Sequence, residues 1–125
     1  GIASRGLGDV YKRQVIIIST PQEIALQDVK RGIRMFDKLK VKILGLIDNM
    51  SHFIGDDGKK YAIFGEGGVK KTAEEFKKDF MGEIPIDPEV GKQGDLGSPI
   101  VESKPDHEIS KKYFKFAEKI KSIYL

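Results

Sequence analysis

The hydrophobic pattern along the chain alternates between unbroken apolar runs and helical spacing. Val15-Ile16-Ile17-Ile18 is a continuous β-branched run. With no polar residue alternating into it, the run predicts a strand buried on both faces, as in a parallel sheet. Ser19-Thr20-Pro21 interrupts it. Thr20-Pro21-Gln22-Glu23 predicts a helix start, with Thr20 as N-cap, Pro21 at the first helical position and Glu23 completing a capping box. Leu26, Val29, Ile33 and Phe36 recur at helical spacing and carry that helix to about Leu39. Val41 to Ile47 forms a second apolar run, broken by Lys42 and Gly45. Strand, helix and strand with short connections make a βαβ unit, whose crossover is expected to be right-handed.

Beyond it, Asp48 to Lys60 is polar and glycine-bearing. It predicts a loop at the carboxyl end of the second strand, with a turn at Asp56-Asp57-Gly58. A short extended piece is expected over Tyr61 to Phe64, a tight turn over Gly65 to Gly68 and a helix over Val69 to Lys78. Met81-Gly82-Glu83-Ile84 predicts a third short strand stopped by Pro85. Asp87 opens a short helix, and Leu96 to Val101 reads as extended. Asp106 is expected to cap the last helix. There Ile109, Tyr113, Phe116, Ala117, Ile120 and Tyr124 share one face, and Lys111, Lys112, Lys115, Lys119 and Lys121 lie away from it. A membrane-surface helix carries such a face, but we read a helix docked on a sheet with its lysines in water. The order predicts the α/β class with a parallel sheet of about three strands. Ligands of such sheets bind at the carboxyl ends of the strands. Those ends are Ser19-Thr20-Pro21, Asp48-Asn49-Met50-Ser51 and Pro85-Ile86-Asp87, all polar or irregular.

Composition narrows the chemistry. At 125 residues and 39% hydrophobic, the chain supplies one modest core. No apolar run approaches the ~20 residues of a membrane span. The sequence has 0 Cys, which excludes a disulfide framework, a thiol nucleophile and thiolate metal ligation, and its 2 His exclude a His-rich cluster. Residues 1–14 read as a foreign segment. They lack an initiator Met and an apolar signal region, and Asp9-Val10-Tyr11-Lys12-Arg13-Gln14 matches the translation of a transposase end used in sequencing libraries. The domain proper is therefore expected over 15–125. The formal charge of +3 falls to about +1 without that segment. No basic stripe interleaved with aromatics appears elsewhere, so no nucleic acid partner is expected.

Gly65-Glu66-Gly67-Gly68-Val69-Lys70-Lys71-Thr72 invites comparison with a phosphate loop, G-x-x-x-x-G-K-[ST]. Lys71 and Thr72 fit, but Lys70 stands where the glycine before that Lys belongs. The deviant form of the loop needs Lys where Glu66 stands, and a carboxylate there repels phosphates. We read a glycine turn into a helix. Phe53 to Gly58 lacks the acidic spacing of a Ca²⁺ loop. His52 and His107 are far apart, loop and helix-start roles suffice for them, and no Ser-His-Asp arrangement can be assigned.

Particular residues say more. Ser19 to Val29 (Ser-Thr-Pro-Gln-Glu-Ile-Ala-Leu-Gln-Asp-Val), Gly32, Met35-Phe36, Ile43 to Ser51, Ile63 to Gly68, Gly82 to Pro88 and Gly97 to Val101 together resemble the Mrp/ApbC-type iron–sulfur cluster carriers. These are P-loop ATPases of the ParA/MinD superfamily. The resemblance runs from about Val15 to the C-terminus, and the order of its blocks makes it specific. It implies the C-terminal part of a doubly wound parallel-sheet P-loop NTPase domain. It also implies a cytoplasmic parent that binds ATP and Mg at a homodimer interface, couples hydrolysis to dimer states and serves iron–sulfur apoproteins. The family's phosphate loop lies near the N-terminus and does not precede Val15, so this stretch alone is expected to be inactive. In the family, an Asn at the Asn49 position and the loop at Pro85, Ile86 and Asp87 hold the adenine. An amide at Asn49 suits a purine edge as donor and acceptor.

The departures matter equally. Many family members carry C-x-x-C shortly after the Asn49-Met50-Ser51 block, where two subunits share a cluster through four thiolates. Here Phe53-Ile54-Gly55-Asp56-Asp57-Gly58 stands instead. Carboxylates are hard ligands and poor substitutes, so cluster binding by this stretch is not expected in that form. Two other readings stay open at this point: a ParA/MinD-like positioning ATPase and a non-enzymatic α/β binding module.

Overall fold

The computed structural model describes residues 13–124, and the side chain of Tyr124 lies outside that description. The element order is β1 (Gln14–Ser19), α1 (Glu23–Lys38), β2 (Lys42–Asn49), β3 (Phe53–Ile54), β4 (Lys60–Tyr61), α2 (Gly68–Glu75), β5 (Phe80–Ile84), α3 (Pro88–Asp95), α4 (Ile100–Ser103) and α5 (Glu108–Tyr124). Strands β1, β2 and β5 form one parallel sheet in that order, with β2 at its centre. The central position explains the apolar character of β2, whose residues Ile43 to Asp48 are all buried. The expected α/β class and parallel sheet are therefore what the chain adopts.

Each face of the sheet carries its own core. Leu26, Val29 and Ile33 of α1 and Val69 and Ala73 of α2 pack on Ile43 and Leu46 on one face. Ile100 and Ile109 pack with Ile47 and Ile84 on the other, joined by Ile16, Met81 and Phe116. Two glycines set how closely the layers approach. A Cβ on Gly45 would lie 2.5 Å from Met81 Cγ and 3.1 Å from the Asp79 carbonyl oxygen, so β5 closes on β2 only because that atom is missing. Gly82 has φ +145°, and a Cβ there would meet the Phe116 ring at 3.0 Å, so α5 seats directly on the β5 backbone. The apolar face of α5 is used unevenly. Ile109 is buried and Phe116 and Ile120 half-buried, while Tyr113 and Ala117 are exposed.

Several local expectations are corrected. Helix α1 starts at Glu23, with Gln22 as an N-cap that makes no side-chain cap bond. Thr20 and Pro21 stay outside the helix because Pro21 is buried, its carbonyl oxygen packed against the turn at Gly65 and Gly68. Part of the loop after β2 is a hairpin in which Phe53 pairs with Tyr61 and Ile54 with Lys60. Its turn is closed by Asp57, which accepts from the Lys59 N–H at 2.9 Å and from the Tyr61 hydroxyl at 2.5 Å. The Leu96–Val101 stretch is not extended. Pro99 caps the one-turn helix α4, which buries Ile100. Helix α2 ends at Glu75 rather than Lys78. Lys77 takes φ +56° and the Lys78 N–H returns to the Ala73 carbonyl, a C-terminal motif that uses no glycine. Helix α5 is capped by His107 rather than Asp106, the His107 Nδ1 accepting from the Ile109 N–H at 3.0 Å. The segment read as foreign lies mostly outside the described residues, although Gln14 opens β1 and pairs with Lys42.

Candidate functional site

Three parallel strands place three carboxyl ends on one edge of the sheet. At two of them the chain turns into a shared cleft. Asn49 is the last residue of β2 and lies opposite Ile84, the last residue of β5. Met50 takes φ +59°, so the backbone reverses directly after Asn49. Ser51 is then held against β5, its N–H donating to the Ile84 carbonyl at 3.0 Å. One step further, the Ile86 N–H donates to the His52 carbonyl at 2.6 Å. These two bonds stitch the loop after β2 to the loop after β5.

The result is a cleft of about 330 Å³ lined by Asn49, Met50, Ile84, Pro85, Ile86, Asp87, Pro88, Val90, Gly91 and Tyr113. All four residues singled out from the sequence, Asn49, Pro85, Ile86 and Asp87, line it. The walls are mostly apolar, with one amide and one carboxylate among them. A flat heterocycle needs that combination: apolar contact for its faces and a directional donor–acceptor for its edge. Asp87 is not free to move. It is the N-cap of α3, and its Oδ1 accepts from the Glu89 N–H at 2.9 Å. Glu89 is held in turn by Lys104 at 2.5 Å and Gln93 at 2.8 Å, which draw its carboxyl down to about 2.

The residue before Asn49 on β2 is a polar group that sequence reasoning did not single out. Asp48 is 3% exposed and its Oδ1 has no hydrogen-bond partner among the described residues. Burial, reinforced by Glu83 and opposed by Lys60, pushes its carboxyl up to about 6. Glu83 also takes Lys60 from the hairpin at 3.3 Å. Burial lowers the pKa of His52, with Lys60 acting in the same direction and Glu83 against it. The Ser51 hydroxyl lies 2.7 Å from His52 Nδ1, and Glu83 lies 3.7 Å from the same nitrogen. A serine relay needs the two partners on opposite ring nitrogens, so this trio is not a nucleophile triad. The only hint in the sequence was an acid closing an apolar strand.

The glycine-rich turn is a different matter. The Thr72 hydroxyl donates to the Gly68 carbonyl at 2.8 Å, and Thr72 is buried. A phosphate-loop Thr must present that hydroxyl to Mg²⁺, and this one is turned into its own helix. For an iron–sulfur cluster the residues do not fit. The sequence holds 0 Cys, and among the described residues no group of three or more His, Asp or Glu is placed to hold a metal ion. No helix among the described residues is long and apolar enough to cross a membrane.

A family model described as ParA, NUBPL iron-transfer P-loop NTPase, matches residues 7–121. The iron–sulfur cluster carrier protein of Aquifex aeolicus is 41% identical over 109 residues, which cover 86% of this chain and 30% of that protein. The iron–sulfur cluster transfer protein NUBPL of Dictyostelium discoideum is 41% identical over 106 residues, 84% of this chain and 33% of that protein. The chain thus spans about a third of the length of these curated relatives. Among solved structures, a nucleotide-binding protein of Archaeoglobus fulgidus in complex with ADP, with cobalt, is 35% identical. It superposes with a TM-score of 0.59 over 73% of this chain and 38% of its own. The cell division ATPase MinD of Pyrococcus furiosus, at 21% identity, shares the fold with a TM-score of 0.68 over 89% of this chain and 43% of its own.

Proposed function

Because the chain belongs to the family of NUBPL iron-transfer P-loop NTPases within the ParA group, we propose that it is the C-terminal part of a nucleotide-dependent iron–sulfur cluster carrier. Its task in that protein is to hold the base of ATP. The observation that carries this reading is the convergence of Asn49 with Pro85, Ile86 and Asp87 on one cleft. Asn49 reads the edge of the adenine, and the Pro85–Asp87 loop covers its face. The amides that grip the triphosphate, and the Mg²⁺ beside it, belong to the phosphate loop, which this chain does not supply. ATP supplies the phosphoryl chemistry, in a cytoplasmic homodimer that changes state on hydrolysis. The cluster is cargo, delivered to apoproteins. Its thiolate ligands must come from elsewhere in the protein, since the hairpin at Phe53–Tyr61 offers none. A positioning ATPase is the weaker reading, because the relatives carrying 41% identity are named for cluster carriage or transfer.

The test is calorimetry on the full-length protein with ATP and, separately, inorganic tripolyphosphate. Asn49→Ala is expected to weaken ATP about tenfold, the scale of one or two lost hydrogen bonds, and to leave tripolyphosphate unchanged. Unchanged ATP affinity would remove the base assignment.

A further inference from the structure

A second cleft, of about 680 Å³, lies on the other side of the same loop and shares Pro85, Ile86 and Asp87 with the first. His107, at the start of α5, lines it. The imidazole has a partner facing each nitrogen. Nδ1 accepts from the Ile109 N–H at 3.0 Å. That bond leaves Nε2 as the nitrogen that carries the proton in the neutral ring. Nε2 lies 3.3 Å from Asp87 Oδ2. The other oxygen of that carboxylate, Oδ1, caps α3 at 2.9 Å.

We propose that His107 is a positioning residue for the base-binding loop, fixing the Asp87 carboxylate between the N-termini of α3 and α5. The inference rests on the base-cleft reading above and adds to it a residue that does not line that cleft. The loop has three anchors. Two are backbone bonds from the neighbouring strand end, Ser51 N–H to Ile84 and Ile86 N–H to His52. The third is the His107–Asp87 contact, 3.3 Å between Nε2 and Oδ2, which comes from an element about 20 residues further along the chain. It meets the loop at its last residue, where the backbone leaves for α3. The α5 end of the link is itself firm: Ile109 is 1% exposed within the core of that face. The Ser110 hydroxyl is bonded to the Lys104 carbonyl at 2.7 Å and lies 3.0 Å from that of Ile100. A tightly seated helix start thus sets where Asp87 stands, and with it the wall of the cleft that Asn49 faces across the sheet edge.

The link can be cut without uncapping the helix. His107→Asn keeps a side-chain oxygen to accept from the Ile109 N–H, as Asn does at N-caps, but is too short to reach Asp87. In the full-length protein it is expected to lower ATP affinity about three- to tenfold, with tripolyphosphate affinity and thermal melt unchanged. Asp87→Asn keeps the α3 cap through its oxygen, and its loss should not add to that of His107→Asn in a double-mutant cycle. Asn49→Ala is the control. ATP weakened by Asn49→Ala but not by His107→Asn would overturn the role of His107 alone. If neither variant weakened ATP, the base-cleft reading would fall and this inference with it. An equal loss of ATP and tripolyphosphate in His107→Asn would mean a general structural defect and would also overturn the proposal.

Discussion

Asp48 and Glu83 stand opposite each other in the parallel register of β2 and β5, two carboxylates on adjacent strands at the carboxyl edge of the sheet. Asp48 is buried with an oxygen unpartnered among the described residues, and Lys60 reaches Glu83 rather than Asp48. The charge on Asp48 is therefore only partly compensated, by Lys60 at a distance. Its folded pKa, about 6, stands above the ordinary 3.8. A group raised in this way contributes stability in full below its unfolded pKa and loses it as pH rises through the folded value. Stability from Asp48 should thus fall between about pH 4 and pH 6. Asp48→Asn, which cannot ionise, is expected to raise stability at pH 7.5 by about 1–3 kcal/mol, with the gain vanishing near pH 4. Urea denaturation of the full-length protein and its variant at both pH values reads the difference. A variant less stable than wild type at pH 7.5 would show that the ionised carboxylate is needed.

The Gly65–Thr72 turn is expected to take no part in phosphate binding. Thr72 spends its hydroxyl on Gly68 and is buried, and Lys71 is exposed. Replacing Lys71 with Ala in the full-length protein should leave ATP affinity within about twofold, well under the ~1.4 kcal/mol of a tenfold change. A large loss in calorimetry would reinstate the motif.

Gly45 is expected to be intolerant of a side chain. Gly45→Val would press on Met81 and on the Asp79 carbonyl, whose oxygen already accepts from the Leu46 N–H at 2.8 Å. Met81 can move and the carbonyl cannot without loosening the β2–β5 pairing. A loss of about 1–3 kcal/mol is expected, read as a lowered denaturant midpoint. Equal stability would mean that β5 shifts at no cost.

Residues 15–125 expressed alone are expected to be poorly stable and blind to nucleotide. β1 pairs with β2 on one side, and no strand among the described residues pairs with the other. Ile18 is 56% exposed there, beside a cleft of about 410 Å³ lined by Ile17, Val29 and Phe36. An uncovered apolar edge is an aggregation template. The surface left wet forgoes roughly 25 cal/mol per Å² of burial, against a stability of about 5–15 kcal/mol for a whole domain. The measurement is a thermal melt with and without millimolar Mg-ATP. A cooperative monomeric melt shifted upward by Mg-ATP would refute both halves.

The sequence by itself determined what depends on local periodicity and on residue type. The apolar run Val41–Ile47, interrupted by Lys42 and Gly45, imposed a strand buried on both faces, and the run Val15–Ile18 imposed a strand beside it that stays half-buried, with Ile18 exposed. The spacing of Leu26, Val29, Ile33 and Phe36 imposed the helix between them, and the absence of Cys removed thiolate chemistry. The resemblance of the Asn49 and Pro85–Asp87 blocks to a family pattern named the residues that line the cleft. Tertiary structure decided what depends on partners distant in the chain. Parallel register put Asn49 opposite Ile84 and buried Asp48 beside Glu83. The packing of Pro21 on the Gly65–Gly68 turn moved the start of α1 past a well-formed local capping signal. The fold carried α5 back across the sheet so that His107, an unremarkable helix-start residue in the sequence, stands 3.3 Å from Asp87. A pattern along the chain encodes a period and a preference for burial. It does not encode which two side chains, twenty or thirty residues apart, the closed sheet will bring into contact.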